Sequence, residues 1–363
     1  MRWSSLCSVA VVLAGPPTTG CSAPGNVQVA GTAEVHDMAT ADTKGLTVAA
    51  DLAPGSPDAV TRLVADGPAA RAAETISACA AASEGCVQPV PAGMVWIRAG
   101  NFWMGCANPK CKETTDENPV HLVWLSGYAV DLFETTVAEY AECVGAGACG
   151  VPAGVYTAGP WFCQALNWGA PDDRNSHPIN GISWKQATSY CKWRGKRLLS
   201  EAEWEKAARG GCEGTDTAAC LAAARTYPWG EAPPDCDHLV WNAWDVTPYT
   251  NKPGCGGPTS TRPVGSKPLG RSPYGLWDMA GNIGEFVSDW YDPAYYGLSP
   301  NVDPKGPASG SSRVARGMSF SHTAVGNEIS LPVVSVAFRQ VEDLGMPWSD
   351  DWGFFQIGVR CAK

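Results

Sequence analysis

Long apolar runs and basic clusters are both missing from this 363-residue sequence. A membrane-spanning helix needs about 20 consecutive apolar residues, and no segment supplies them. The 26 lysines and arginines are outnumbered by 36 acidic residues and form no basic run, so nucleic acid is not expected as a partner. The acidic balance favours solubility or an affinity for cations.

Aromatic residues are absent from residues 22–90, which are rich in alanine, glycine, aspartate, threonine and proline. Such a segment buries too little apolar surface to offset the entropy lost on ordering the chain. We therefore predict a flexible spacer over residues 22–90, with a folded domain over residues 91–363.

The first residues have the composition of an export signal. Arg2 precedes a short apolar run at residues 6–15, which predicts a signal peptide over residues 1–21. Gly20 and Cys21 end it in the manner of a lipoprotein signal, which would make Cys21 the lipidated residue and the lipid a membrane anchor. Thr18 stands where such signals usually carry leucine, so conventional cleavage nearby is the alternative. Either signal predicts an exported protein, in the cell envelope or secreted.

Zinc-type clusters are also missing, because no two cysteines have CxxC spacing. The 15 cysteines instead predict a disulfide framework, which belongs to an oxidising compartment. Five pairs lie close enough in sequence to close small loops: Cys79 with Cys86, Cys106 with Cys111, Cys143 with Cys149, Cys212 with Cys220, and Cys236 with Cys255.

Regular patterns begin at Gly93. Alternating residues predict strands over 94–99 and 100–105 and a strand pair over 120–130. Three helices are predicted from capping boxes that begin at Thr136, Ser183 and Ser200. Glu201, Glu203 and Glu205 are interpreted as cap and solvent-facing residues of the third helix. Long loops are predicted from residue 211 to 312, followed by two strands near 313–320 and 354–361.

The stretch at residues 272–291, SPYGLWDMAGNIGEFVSDWY, brings together the most candidate functional residues. Glycines at 275, 281 and 284 permit positive φ angles, and Asp278 and Glu285 bracket the loop between them. Several carbonyl and carboxylate oxygens facing one point would suit calcium, which takes six to eight oxygen ligands. The alternative is a tight turn whose carboxylates cap neighbouring N–H groups.

Several of these segments together resemble the formylglycine-generating enzyme, or sulfatase-modifying factor, family. They occur in the family's order across residues 91–363: GMVWIRAGNFWMG, VDLFETTVAEYAECV, HPINGISWKQATSYCKWRGKRLLSEAEWEKAARGG, YPWG, SPYGLWDMAGNIGEFVSDWY, RVARGMSFS and IGVRC. The resemblance implies a compact α+β domain, poor in regular secondary structure and related in outline to C-type lectin-like domains.

The resemblance also implies sites. It assigns calcium to Asp278, Glu285 and the carbonyl oxygens of Gly281 and Ile283. A second calcium site would begin at Asn242 and Ala243, but its later acidic ligand falls at 256–258, where no carboxylate occurs. Cys191 and Cys361 would form a disulfide, which leaves Cys163 free or in a different pairing.

The copper-binding cysteines of the family enzymes have no counterpart. They would fall at His322 and near Asn327 or Leu331, and no cysteine occurs anywhere between residues 256 and 360. Soft Cu(I) selects thiolate ligands, so copper is not expected as a cofactor. His322, Asn327 and Arg339 would line the remaining cleft. Iron would require three of the dispersed histidines to converge, as in the related sulfoxide synthases.

Two functions remain open. In the first, the chain is a calcium-stabilised binding or accessory module that lacks formylglycine-generating activity, and some of its tryptophans line a groove for a peptide or glycan. In the second, it is a metal-dependent oxidase of altered chemistry that acts on a cysteine-containing or thiol substrate through His322 and its neighbours.

Overall fold

The computed structural model describes residues 90–107, 116–152, 166–170, 172–241, 261–320, 334–341 and 353–363. The predicted signal peptide with Cys21 and the spacer up to residue 89 lie outside these residues. Within them, no helix has both the length and the apolar character to cross a bilayer.

The regular elements of the described residues are short strands and helices. In chain order they are β1 (Met94–Ile97), β2 (Gly100–Met104), β3 (His121–Leu125), β4 (Tyr128–Asp131), α1 (Val137–Gly145), α2 (Trp184–Trp193), β5 (Arg197–Leu198), α3 (Glu201–Arg209), α4 (Thr217–Ala222), β6 (Gly284–Trp290), β7 (Arg313–Arg316), β8 (Gln340–Val341), β9 (Ile357–Gly358) and β10 (Cys361–Ala362). The predicted α+β class with little regular structure is confirmed.

The strands form three small sheets. One has the order β1-β4-β10-β5, a second is the β2-β3 hairpin, and the third has the order β8-β7-β6-β9. All pairs are antiparallel except β6 with β9. Strand β10 therefore lies in the same sheet as β1, with β4 between them.

The three predicted capping boxes are all present. Thr136, Ser183 and Ser200 each accept a hydrogen bond from the backbone N–H three residues later, and the side chain at that position bonds back to the cap. A fourth helix, α4, has only six residues and was not predicted.

The prediction of loops throughout residues 211–312 was wrong at β6. This strand has seven residues, and its first four are all buried. A strand buried on both faces lacks the alternation of apolar and polar residues by which strands are recognised in a sequence. The correction matters for the site because β6 begins inside the DMAGNIGE loop.

Disulfides hold the described residues together as predicted for three pairs. Cys143–Cys149 and Cys212–Cys220 close short loops, and Cys191–Cys361 joins α2 to β10 across 170 residues.

The other predicted cysteine pairs fall partly or wholly outside the described part of the chain. Cys106 and Cys236 are disulfide-bonded, but their predicted partners are outside it. Neither member of the remaining pair is described, so that disulfide stays a prediction. The cysteines outside the described ranges that bear on these predictions are Cys79, Cys86, Cys111, Cys163 and Cys255.

Candidate functional site: the buried acidic loop

The loop at residues 278–285 has the backbone shape that its glycines predict. Asp278, Gly281 and Asn282 have φ angles of 55°, 83° and 61°. A β-carbon on Gly281 would lie 2.5 Å from the carbonyl oxygen of Val240, so only glycine fits there. The Asn282 N–H donates to that same carbonyl at 2.8 Å.

Glu285 is held by an arginine from the far end of the chain. Arg360 donates to the Glu285 carboxylate through Nε at 2.9 and 3.1 Å and through Nη2 at 2.7 Å. The indole of Trp204 donates to the same carboxylate at 2.6 Å. Both side chains of the ion pair are almost completely buried, which makes Arg360 an anchor that no local pattern in the sequence identifies.

Glu134 is a second residue of this site for which the sequence carries no local signal. Its carboxylate accepts hydrogen bonds from the Asn282 side-chain amide at 2.6 Å and from the Ile283 N–H at 3.1 Å, and these two bonds hold the loop in place. Burial, and then the neighbouring Asp278 and Glu285, raise the pKa of Glu134 well above its usual value.

Acidic side chains outnumber basic ones in direct contact with this loop. Asp278, Glu134 and Glu285 are all buried, and Arg360 is the cation in direct contact with one of them. Burial raises the pKa of Asp278 to about 6, although its carboxylate accepts the Gly265 N–H at 2.6 Å. Buried carboxylates without a matching cation are costly, and a bound cation would relieve that cost.

The donor set fits calcium in part. Asp278 and the carbonyl oxygens of Gly281 and Ile283 are hard oxygen ligands on one tight loop. Glu285 would have to share its oxygens with Arg360 and Trp204. Three carboxylates, cysteines or histidines arranged around one metal position do not occur in the described residues. Calcium here would therefore depend on backbone oxygens for much of its coordination.

Arg339 is the one predicted cleft residue that the structure describes. It is 3% exposed and donates to both Glu201 oxygens, at 2.7 and 3.0 Å. Its guanidinium thus belongs to a buried ion-pair cluster. His322, Asn327, Asn242 and Ala243 fall outside the described residues, so the remaining cleft and the second calcium site stay predictions.

The interpretation of Glu201 and Glu205 as solvent-facing residues was wrong. Both are buried, and Arg316 donates to Glu201 at 3.0 Å and to Glu205 at 2.6 Å. Burial opposes ionisation of Glu201, but Arg339 and Arg316 outweigh it and lower its pKa. Arg316 is the last residue of β7, so this cluster supports the segment that leads towards position 322.

The described histidines have separate partners. His121 Nδ1 lies 2.9 Å from the Pro119 carbonyl oxygen, His177 Nδ1 lies 2.8 Å from the Thr261 hydroxyl, and His238 Nδ1 lies 2.6 Å from Asp235. None of the three takes part in a three-ligand metal group within the described ranges.

A match to a family model identifies the family to which this domain belongs. A model described as the sulfatase-modifying factor enzyme 1-like domain matches residues 80–362. The chain belongs to that family. The anchored DMAGNIGE loop, the capped helices and the Cys191–Cys361 disulfide are therefore parts of a sulfatase-modifying factor domain.

Similar proteins of the family carry different names. The formylglycine-generating enzyme of Streptomyces coelicolor is 34% identical over 259 residues, covering 63% of this chain and 78% of that protein. The serine/threonine-protein kinase pkn1 of Chlamydia caviae is 30% identical over 249 residues, covering 63% of this chain but only 33% of the kinase.

Solved structures of similar proteins cover three quarters of the chain. Treponema denticola variable protein 1 is 21% identical with a TM-score of 0.49 and covers 74% of this chain and 94% of its own. PvdO from Pseudomonas aeruginosa is 24% identical with a TM-score of 0.48 and covers 74% of this chain and 93% of its own.

Proposed function

We propose that this chain is an exported, lipid-anchored member of the sulfatase-modifying factor family that acts as a calcium-stabilised binding or accessory module and does not generate formylglycine. One observation carries the proposal: the segment between residues 256 and 360, which includes both copper-ligand positions of the resembled enzymes, contains no cysteine. One imidazole and one amide do not reproduce the pair of soft thiolates that selects Cu(I).

Export is supported by the disulfides, because such bonds persist in oxidising compartments. Lipidation at Cys21 rests on the sequence of the signal. Mass spectrometry of the protein purified from membranes tests it: a diacylated N-terminal cysteine is expected, and a free N-terminus beyond residue 21 would contradict it.

Calcium binding is supported by the excess of buried carboxylates around the DMAGNIGE loop. Asp278 and the carbonyl oxygens of Gly281 and Ile283 would hold the ion, and Glu285 would share one oxygen with it. When bound, calcium would supply the missing positive charge and fix the loop. The role is structural, since the loop is packed against Arg360, Trp204 and Glu134 inside the domain.

Metal analysis of untagged protein tests the proposal. We expect about one calcium per chain, removable by EGTA, with a lower unfolding temperature after removal. Asp278→Asn should abolish that response, whereas Asp172→Asn, which alters an exposed carboxylate outside the loop, should leave it unchanged. A protein that contains no calcium and gains no stability from added calcium would contradict the calcium part.

The alternative is a metal-dependent oxidase that acts on a cysteine-containing or thiol substrate. Its support is the family match together with His322, which occupies the first copper-ligand position of the resembled enzymes. Stoichiometric iron or copper in the same metal analysis would favour this alternative. Calcium alone would favour the module.

A further inference from the structure

A cavity of about 260 Å³ has no residue of the 278–285 loop on its lining. Its apolar wall is formed by Trp103 of β2, Pro273 and Tyr274, and Ala224 lies on its lining beyond α4. The volume is smaller than that of a typical drug-sized site, so it suits a ligand of about ten non-hydrogen atoms.

The charged side chains on the cavity lining differ in how well an oppositely charged side chain pairs with them. Glu213 accepts from Lys206 at 3.0 Å and from the Tyr274 hydroxyl at 2.8 Å. Arg209, also on the lining, pairs with Glu205 at 2.8 Å. Arg225 donates only a long hydrogen bond of 3.5 Å to the Pro228 carbonyl and pairs with no carboxylate among the described residues.

The wall that carries these groups is held in place by several constraints. The Cys212–Cys220 disulfide closes the loop that contains Glu213. The Cys212 N–H donates to the Asn101 carbonyl at 2.8 Å, and the Trp103 indole donates to the Thr217 carbonyl at 2.7 Å. A cavity built on such anchored segments needs little reordering when a ligand enters.

We propose that this cavity binds a small aromatic carboxylate, with its carboxylate on Arg225 and its ring against Trp103 and Tyr274. The Arg225 guanidinium, which pairs with no carboxylate among the described residues, selects an anionic head, because a guanidinium forms charge-assisted hydrogen bonds with carboxylates. The aromatic and proline side chains select an apolar body. The site is independent of the calcium loop and of the proposed module function.

Binding of phenylacetate to the full chain, measured by calorimetry, tests the proposal. With about ten non-hydrogen atoms, this ligand should bind with a dissociation constant near the millimolar range. Phenylacetamide, which has the same shape without the charge, should bind about tenfold more weakly or worse. Equal binding of the two compounds, or no saturable binding of phenylacetate, would overturn the proposal.

Two variants localise the site. Arg225→Gln should weaken phenylacetate about tenfold, whereas Arg271→Gln should not, since Arg271 is an exposed arginine over the Trp277 ring outside the cavity. Ala224→Leu should block binding by filling the cavity without changing charge. Near-ultraviolet circular dichroism checks that each variant is folded. Unchanged affinity in both Arg225→Gln and Ala224→Leu would place any binding elsewhere and reject this site.

Discussion

Replacing Arg360 by methionine should destabilise the domain strongly. The change keeps an apolar stem but removes the hydrogen bonds from Arg360 to the Glu285 carboxylate and leaves the one from the Trp204 indole. It also removes a donor from each of the Asp131 and Trp277 carbonyls. Breaking a buried ion pair from one side costs about 3–5 kcal/mol.

Urea unfolding at pH 7, followed by circular dichroism, measures the loss of stability. Arg271→Met is the matched control, because Arg271 also contacts Trp277 but is exposed; its cost should be below about 0.5 kcal/mol. Equal stability of Arg360→Met and Arg271→Met would refute this prediction.

Three further predictions concern single residues. Burial raises the pKa of Asp289 to about 7, so the folded state retains a proton that the unfolded chain loses near pH 4. The stability of the domain should therefore fall as the pH rises from 4 to 7. Denaturation curves measured across this pH range should show a smaller fall for Asp289→Asn. Gly281→Ala should cost more than about 2 kcal/mol in the same assay, because φ is positive and the new carbon would lie 2.5 Å from the Val240 carbonyl oxygen; a neutral change would contradict the loop geometry. Ser200→Ala should lower the thermal unfolding midpoint, because it removes the side-chain cap on the Glu203 N–H and with it about 1 kcal/mol of unfolding free energy. Ser200→Thr, which keeps a hydroxyl at the cap, should have a midpoint close to that of the parent chain.

Features with local causes were predictable from the sequence. Capping boxes involve residues three positions apart, so α1, α2 and α3 could be identified with their first residues. The short-range disulfides Cys143–Cys149 and Cys212–Cys220 follow from the spacing of the cysteines, and the left-handed turn at Gly281 follows from its composition.

Features that join distant segments were not predictable in this way. Arg360 and Glu285 are 75 residues apart, and Arg339 and Glu201 are 138 apart. A charged residue in a sequence looks solvent-exposed until its partner is known, which is why Glu201 was misjudged. The support of the loop by Glu134 has the same long-range character.

The central claim is that this scaffold, without two thiolates at the copper positions, does not oxidise cysteine. The most direct measurement incubates the purified domain with Cu(I), oxygen and a Cys-x-Pro-x-Arg peptide, and follows the peptide by mass spectrometry. We predict that the peptide keeps its thiol and acquires no aldehyde beyond the level of a reaction without protein. Repeated turnover to the formylglycine peptide by the domain would contradict the claim.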